Sequence, residues 1–176
     1  MKLHVGQDTI FRILHPAAIK LYNGVSSLEI LCDCVANPVK IEEYIGKLSL
    51  FRPFMPMLCE RLGWQKLERN INGDAFVIEP KHDGERILLH YTKDQIELYT
   101  RNNVNVTNRW GYLKAIEIYL HQSLLKVDNC ILDGELIAWD NQLKKYVPFG
   151  LNRTISQEKN ENEKDKRQLV FIIFDI

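Results

Sequence analysis

The stretch EPKHDGERILLHY, residues 79–91, decides how the rest of this chain is read. Within six positions it places Lys81, Asp83, Gly84 and Arg86, then runs straight into apolar residues. A lysine amine is a poor nucleophile at neutral pH because its unperturbed pKa is about 10.4. Burial or a neighbouring cation makes the ammonium form costly and frees the lone pair. Lys81 follows the apolar run AFVIE (75–79) and Arg86 lies five positions beyond it, so both levers are available. Gly84 lets the backbone turn tightly and come close to a ligand, and the planar fork of Arg86 suits phosphate or sugar oxygens. From average composition, K-x-D-G-x-R has a chance of about one in a hundred thousand per position, or roughly two in a thousand over a chain of this length. The competing reading is a polar β-turn with a surface Lys and Arg, because Asp-Gly is also a strong hairpin signal.

With 176 residues, 45% of them hydrophobic and 26% charged, the composition is that of a soluble globular protein. No apolar run approaches the roughly 20 residues of a membrane span, so no membrane association is expected. The opening MKLHVGQDTIFRIL lacks the long apolar core and small-residue cleavage site of a secretory signal. Cys32, Cys34, Cys59 and Cys130 follow neither a disulfide-scaffold nor a zinc spacing, which predicts reduced thiols in a cytosolic or nuclear protein. Formal net charge is zero. A module holding DNA by itself would be basic, since phosphate neutralisation supplies most of the affinity. Neutrality therefore fits one part of a larger clamp better than a self-sufficient DNA binder.

Upstream of the central stretch the chain reads helical. FRILHPAAIKLYNG has apolar residues at helical spacing, a break near Pro16 and Gly24 as a C-cap. SSLEILCDCVAN opens on serine caps and ends at Asn37-Pro38. KIEEYIGKLSLF is a third amphipathic candidate, with Ile41, Tyr44, Ile45 and Leu48 on one face. The two prolines of FRPFMPMLCERL mark a crossing between regions. After Gly73 the pattern changes: AFVIE, RILLHYT and QIELYT are β-rich, the last two joined by a tight turn at Lys93-Asp94. TRNNVNVTNRWG is a polar loop, and GYLKAIEIYLHQSLL is a helix with a stripe of Tyr112, Ile116, Tyr119 and Leu120. CILDGELIAWD and KKYVPF read as a strand pair, QEKNENEKDKR (157–167) as an exposed charged loop, and QLVFIIFDI as the start of a buried strand. A chain ending inside its most apolar strand is expected to be truncated. No internal repeat is visible.

Four elements in order carry a resemblance to a known family. EPKHDGER, YTRNN (99–103), LDGE (132–135) and IFDI (173–176) resemble motifs I, Ia, III and IIIa of the ATP-dependent DNA ligases. These belong to the lysine nucleotidyltransferases, with RNA ligases and mRNA capping enzymes. PML (56–58) resembles the entry to a ligase adenylation domain, and the stretch from GQDTIF to EILC is similar to the end of a ligase DNA-binding domain, in the ligase IV branch above all. The resemblance implies an α+β fold: a truncated, antiparallel-sheet nucleotidyltransferase (ATP-grasp-like) adenylation domain over 49–176, preceded by a helical DNA-binding remnant over 1–48. It also implies a nuclear enzyme of double-strand break repair by non-homologous end joining, using ATP as AMP donor and Mg²⁺.

Carried over onto this chain, the resemblance makes Lys81 the nucleophile that becomes Lys–AMP. Glu79, Pro80, Lys81, His82, Arg86, Arg101, Glu135 and Phe174 become the nucleotide-binding candidates. Glu79 would recognise the adenine amino group from the strand face it shares with Lys81. Arg86 would contact ribose or phosphate, and Arg101 the sugar or the nicked strand. Glu135 would bind ribose or Mg²⁺, Phe174 would stack on adenine, and Asp83 would help to position Lys81 or the metal and its waters. Pro80 has no N–H, so a ligand contact there would use its carbonyl. His82 occupies a variable position and reads as a spectator, and Phe149 stands where the family offers a lysine, so no role transfers to it. The implied partners are nicked or broken DNA and a coiled-coil end-joining scaffold, bound through regions not present here. Because the family's later lysines and its OB-fold domain would follow Ile176, the chain by itself is expected neither to seal nicks nor to adenylylate efficiently. The alternatives are an mRNA guanylyltransferase or RNA ligase, and an inactive truncation that binds nucleotide or a partner.

Overall fold

Alternation along the strand Glu85–Thr92 (β1) sends Ile87, Leu89 and Tyr91 to one face of a sheet and Arg86, Leu88 and His90 to the other. A computed structural model of the chain describes residues 5–71, 73, 75–109, 111–124, 126–157 and 166–176. In it β1 pairs antiparallel with Ile96–Thr100 (β2) on one side and with Asn129–Asp140 (β3) on the other. The long β3 also pairs with the two-residue strand Lys145–Tyr146 (β4) and with Arg167–Asp175 (β5). The architecture is α+β around an antiparallel sheet, as the sequence predicts.

One face of the sheet builds the main core. Ile87, Leu89, Tyr91, Leu98, Leu132, Leu136, Ala138 and Leu169 pack there against Tyr112, Ile116 and Leu120 of helix α6 (Tyr112–Ser123) and Ile155 of helix α7 (Asn152–Gln157). Asn152 ties α7 to the sheet by donating its Nδ2 to the Leu136 carbonyl at 2.8 Å. A second, separate core holds the upstream helices together: Phe11 from α1 (Gln7–Leu14), Leu21 and Val25 from α2 (Ala18–Val25), Leu31 and Cys34 from α3 (Leu28–Ala36), and Ile41 from α4 (Ile41–Tyr44). The serine cap holds, since the Ser27 side chain accepts the N–H of Ile30. A further helix α5 (Trp64–Ile71), which the sequence reading placed nowhere, buries none of its residues.

Several local expectations fail for identifiable reasons. Gly24 lies inside α2, and the left-handed C-cap is Ser26, with φ 45°. The third helix is only one 3₁₀ turn and one α-turn, ending before Gly46 at φ 75°; Ile41 is buried but Leu48 is exposed. Tyr119 leaves the α6 stripe and faces solvent. AFVIE is not a strand. Among the described residues 75–83 pair with no neighbour, and Phe76, Val77 and Ile78 are 61%, 83% and 84% exposed. β propensity without a partner edge leaves backbone groups to water. β5 is buried only near its start, at Leu169, and its distal residues are exposed. The charged-loop reading falls almost entirely on 158–165, outside the described residues.

The segment that follows the upstream helices is tied to the sheet at a fully buried histidine. His90 Nδ1 accepts the Phe51 N–H at 2.8 Å, and its ring stands edge-on to Tyr99, whose hydroxyl donates to the Phe51 carbonyl at 3.1 Å. With Nδ1 acting as acceptor, the ring proton belongs on Nε2, which has no partner among the described residues. Burial pulls the His90 pKa down from 6.5 to about 4. Between those values the unfolded chain binds a proton that the folded one refuses, so stability rises with pH there. Chemical denaturation at stepped pH is expected to show stability falling as pH drops from about 6.5 to about 4, with a shallower slope in His90→Gln. An equal slope in both proteins would contradict this.

Candidate active site

The sheet face opposite α6 and α7 carries the charges. On it Arg86 stands directly across from Glu135, and Asp133 lies diagonally, two residues along β3. Arg86 grips Asp133 with both prongs, Nε to Oδ1 at 2.9 Å and Nη2 to Oδ2 at 2.5 Å. The pair is largely buried, the side chains 26% and 10% exposed. Fork-to-fork geometry of this kind is the strong form of the interaction. The Asp133 hydrogen bond, followed by its charge, raises the Arg86 pKa further above its ordinary value. The guanidinium also lies over the Phe174 ring, 5.2 Å from its centroid, within cation–π range.

Phe174 shares the face of Ile172, which pairs with Glu135, and it sits at an irregularity in β5. β5 runs in register with β3 from Asp140↔Arg167 to Gly134↔Ile173, and the next pair is Asp133↔Asp175. Phe174 is the extra residue of the bulge, left unpaired. Its ring is 47% exposed, so one face meets Arg86 while much of the rest stays open.

The two Asp-Gly pairs are not turns. Asp133-Gly134 sits mid-strand in β3, and Asp83-Gly84 leads into β1. Each glycine is there because a neighbour presses on its α-carbon. A Cβ on Gly84 would stand 2.4 Å from the Leu136 carbonyl oxygen, 2.6 Å from Ile137 Cγ1 and 2.9 Å from Glu135 Cγ. One on Gly134 would stand 2.5 Å from the Ile172 carbonyl oxygen and 2.7 Å from the Phe171 ring. That closeness lets the Gly84 N–H donate to Glu135 Oε1 at 3.1 Å. Burial pushes the Glu135 carboxyl up from its ordinary value, against the Gly84 hydrogen bond and the positive charges of Lys81, Arg86 and His82. Lys81 thus lies near enough to Glu135 to act on it electrostatically.

The structure therefore gathers Arg86, Glu135 and Phe174, with Lys81 and His82 beside them. Lys81 and Asp83 are exposed, and His82 is half-buried with its ring edge-on to Tyr146. Arg101 lines a narrow crevice with Phe54, Pro56, Arg86, Leu88, Thr100 and Asp133, at the margin of the cluster. Glu79 and Pro80 lie on the same exposed, unpaired segment as Lys81, so no strand alternation sets Glu79 and Lys81 on one face. Sequence reasoning quoted Asp133 within LDGE but gave it no role. The available signal was an acid inside a buried strand, which demands a counter-ion. Among the described residues no three His, Cys, Asp or Glu side chains converge. A half-buried Glu135 with one oxygen on Gly84 suits a cation that takes few protein ligands and keeps its waters, as Mg²⁺ does.

Two substitutions test this construction. Gly84→Ala must push back a strand backbone, and equilibrium unfolding is expected to show a loss of roughly 1–3 kcal/mol, the usual cost of overpacking. Asp133→Ala strands the Arg86 charge. The expected loss is about 2–3 kcal/mol, below the fully buried range because part of Arg86 reaches water. Wild-type stability in either variant would mean that the corresponding contact is absent.

Comparison with known proteins agrees with this geometry. The family described as "ATP dependent DNA ligase domain" matches residues 56–176. The whole chain also aligns with DNA ligase 4 of Gallus gallus at 32% identity, of Arabidopsis thaliana at 30% and of Homo sapiens at 29%. It spans only 19%, 14% and 19% of their respective lengths. On the match over more than half its residues, bearing the lysine, the buried Arg86–Asp133 pair and the bulged Phe174, the chain belongs to the ATP-dependent DNA ligase domain family.

Proposed function

We propose that the protein containing this chain is an ATP-dependent DNA ligase of the ligase IV kind, sealing nicked or broken DNA in the nucleus during end joining. The observation that carries the reading is the exposed Lys81 amine beside a glutamate, with an arginine and an aromatic ring fixed behind it. An unprotonated Lys81 Nζ attacks the α-phosphorus of ATP. A P–N bond forms, the bond to the bridging oxygen breaks, and pyrophosphate leaves with the electron pair. AMP then passes to a 5′-phosphate on DNA, which regenerates the amine, and a 3′-hydroxyl displaces AMP to join the strands. Such transfers depend on positioning and charge neutralisation.

In this reading Phe174 offers its open face to the base, Glu135 takes the ribose or Mg²⁺, and Arg86 faces the sugar or phosphate with the donors that Asp133 leaves free. Bound Mg²⁺ would neutralise phosphate charge as pyrophosphate departs. Arg101, Glu79 and Pro80 complete the nucleotide surroundings. Two separate hydrophobic cores support a division into a helical DNA-binding remnant, 1–48, and the first part of an adenylation domain, 49–176. A coiled-coil end-joining scaffold would dock on regions other than these.

The test is covalent labelling of the full-length protein with α-labelled ATP and Mg²⁺. Label is expected on the wild type and a loss of at least a hundredfold, on the order of what removing a nucleophile costs, in Lys81→Met. Label surviving that substitution, or absent from the wild type, would sink the proposal, and label from GTP instead of ATP would point to a guanylyltransferase.

A further inference from the structure

One edge of the site is made of rings to which the ligase reading gives no mechanical part. His82 follows Lys81 directly, and its ring stands edge-on to Tyr146, with centroids 5.8 Å apart and planes at 77°. Tyr146 in turn meets Trp139 at 5.1 Å and 75°. The second contact is dictated by the sheet, because Trp139 and Tyr146 are directly paired across β3 and β4. Trp139 also shares the face of Glu135 and Ile137, the two side chains against which Gly84 is pressed. A row of side chains along one strand face thus ends in a tyrosine that touches the residue beside the nucleophile.

The segment needs such a hold. Residues 75–83 belong to no strand. The Gly84 N–H on Glu135 fixes the backbone only three positions after Lys81. The His82 ring on Tyr146 is an anchor at the adjacent residue. Seating the His82 ring restrains the backbone at the residue next to Lys81. Edge-to-face rings are a directional contact, suited to fixing orientation.

Resting on the Lys–AMP reading above, we infer that Tyr146, seated on Trp139, is a positioning residue for the reaction: by holding His82 it holds the Lys81 amine beside Glu135. His82 is then the handle by which the loop is gripped. Tyr146 acts on catalysis through His82 and touches no nucleotide.

The experiment uses the full-length protein and measures the rate of AMP labelling at saturating ATP together with the KM for ATP. Tyr146→Ala is expected to slow labelling roughly three- to tenfold, the factor that one edge-to-face pair can lend to an equilibrium, with KM unchanged. Tyr146→Phe, which keeps the ring, is expected to label at the wild-type rate. His82→Ala alters a loop residue without disturbing the sheet and is expected to show the same loss as Tyr146→Ala. The double variant should be no slower than the slower single one, since both remove one contact. Wild-type labelling in Tyr146→Ala, a rise in KM alone, or losses that multiply in the double variant would overturn the inference while leaving the Lys–AMP reading intact. Failure of the wild type to label would overturn that reading and this inference with it.

Discussion

The site exists because a single hydrogen, and no more, occupies the side-chain position of Gly84. The backbone before β1 passes so close to β3 that a methyl group would collide with a carbonyl, an isoleucine and a glutamate together. That approach brings the Gly84 N–H onto Glu135 and leaves the preceding residues, Lys81 and His82, within electrostatic reach of the same carboxylate. Pulling the two strands apart by the width of a methyl would remove the hydrogen bond and widen every distance that separates the amine from its acid. Glycine here is chosen for the absence of a side chain, since its φ lies in a region open to any residue.

A second requirement is electrical. Arg86 and Asp133 are opposite charges drawn mostly out of water, a placement costly for either one by itself. Two parallel hydrogen bonds satisfy much of each group, and the ring of Phe174 covers a guanidinium face that would otherwise need solvent. The arginine is consequently stiff. Its remaining donors point where the fold directs them, which is the condition for electrostatic help that needs no reorganisation during reaction. The contrast with Lys81 is instructive: the group proposed to react is exposed, and the groups around it are held fast.

Much of this was legible in the letters alone. Alternation revealed β1, β2 and β3, and the Lys93-Asp94 turn joined the first two as expected. Helical spacing and Ser27 revealed α3. The clustering of Lys81, Gly84 and Arg86 marked the site before any geometry was known. What could not be read was the reason for each Asp-Gly pair. Sequence statistics favour a turn for that dipeptide, and only the pairing of β3 with β1 and with β5 shows that Gly84 and Gly134 each lie against a neighbouring strand. The partner of Arg86 was hidden likewise, because diagonal neighbours across strands are fixed by register and not by spacing along the chain. AFVIE misled for the opposite reason: its letters report a preference for strand, and a strand forms only where another edge accepts its hydrogen bonds. The exposed helix α5 shows the limit from the other side, because local preference was sufficient without any burial.

The bulge in β5 makes the length of that segment as important as its composition. Side chains in a strand change sides with every step, and the count from Leu169 runs unbroken to Phe174, where the bulge resets it. Inserting one residue between Val170 and Ile173 would bring Ile173 to the place beside Arg86 and carry the aromatic ring onward, even though every nearby residue type stayed acceptable for a strand. Drift at this point is therefore freer in spelling than in spacing. Substitutions among Val, Ile and Leu can accumulate along β5, while a one-codon insertion or loss would exchange the surface offered to the nucleotide.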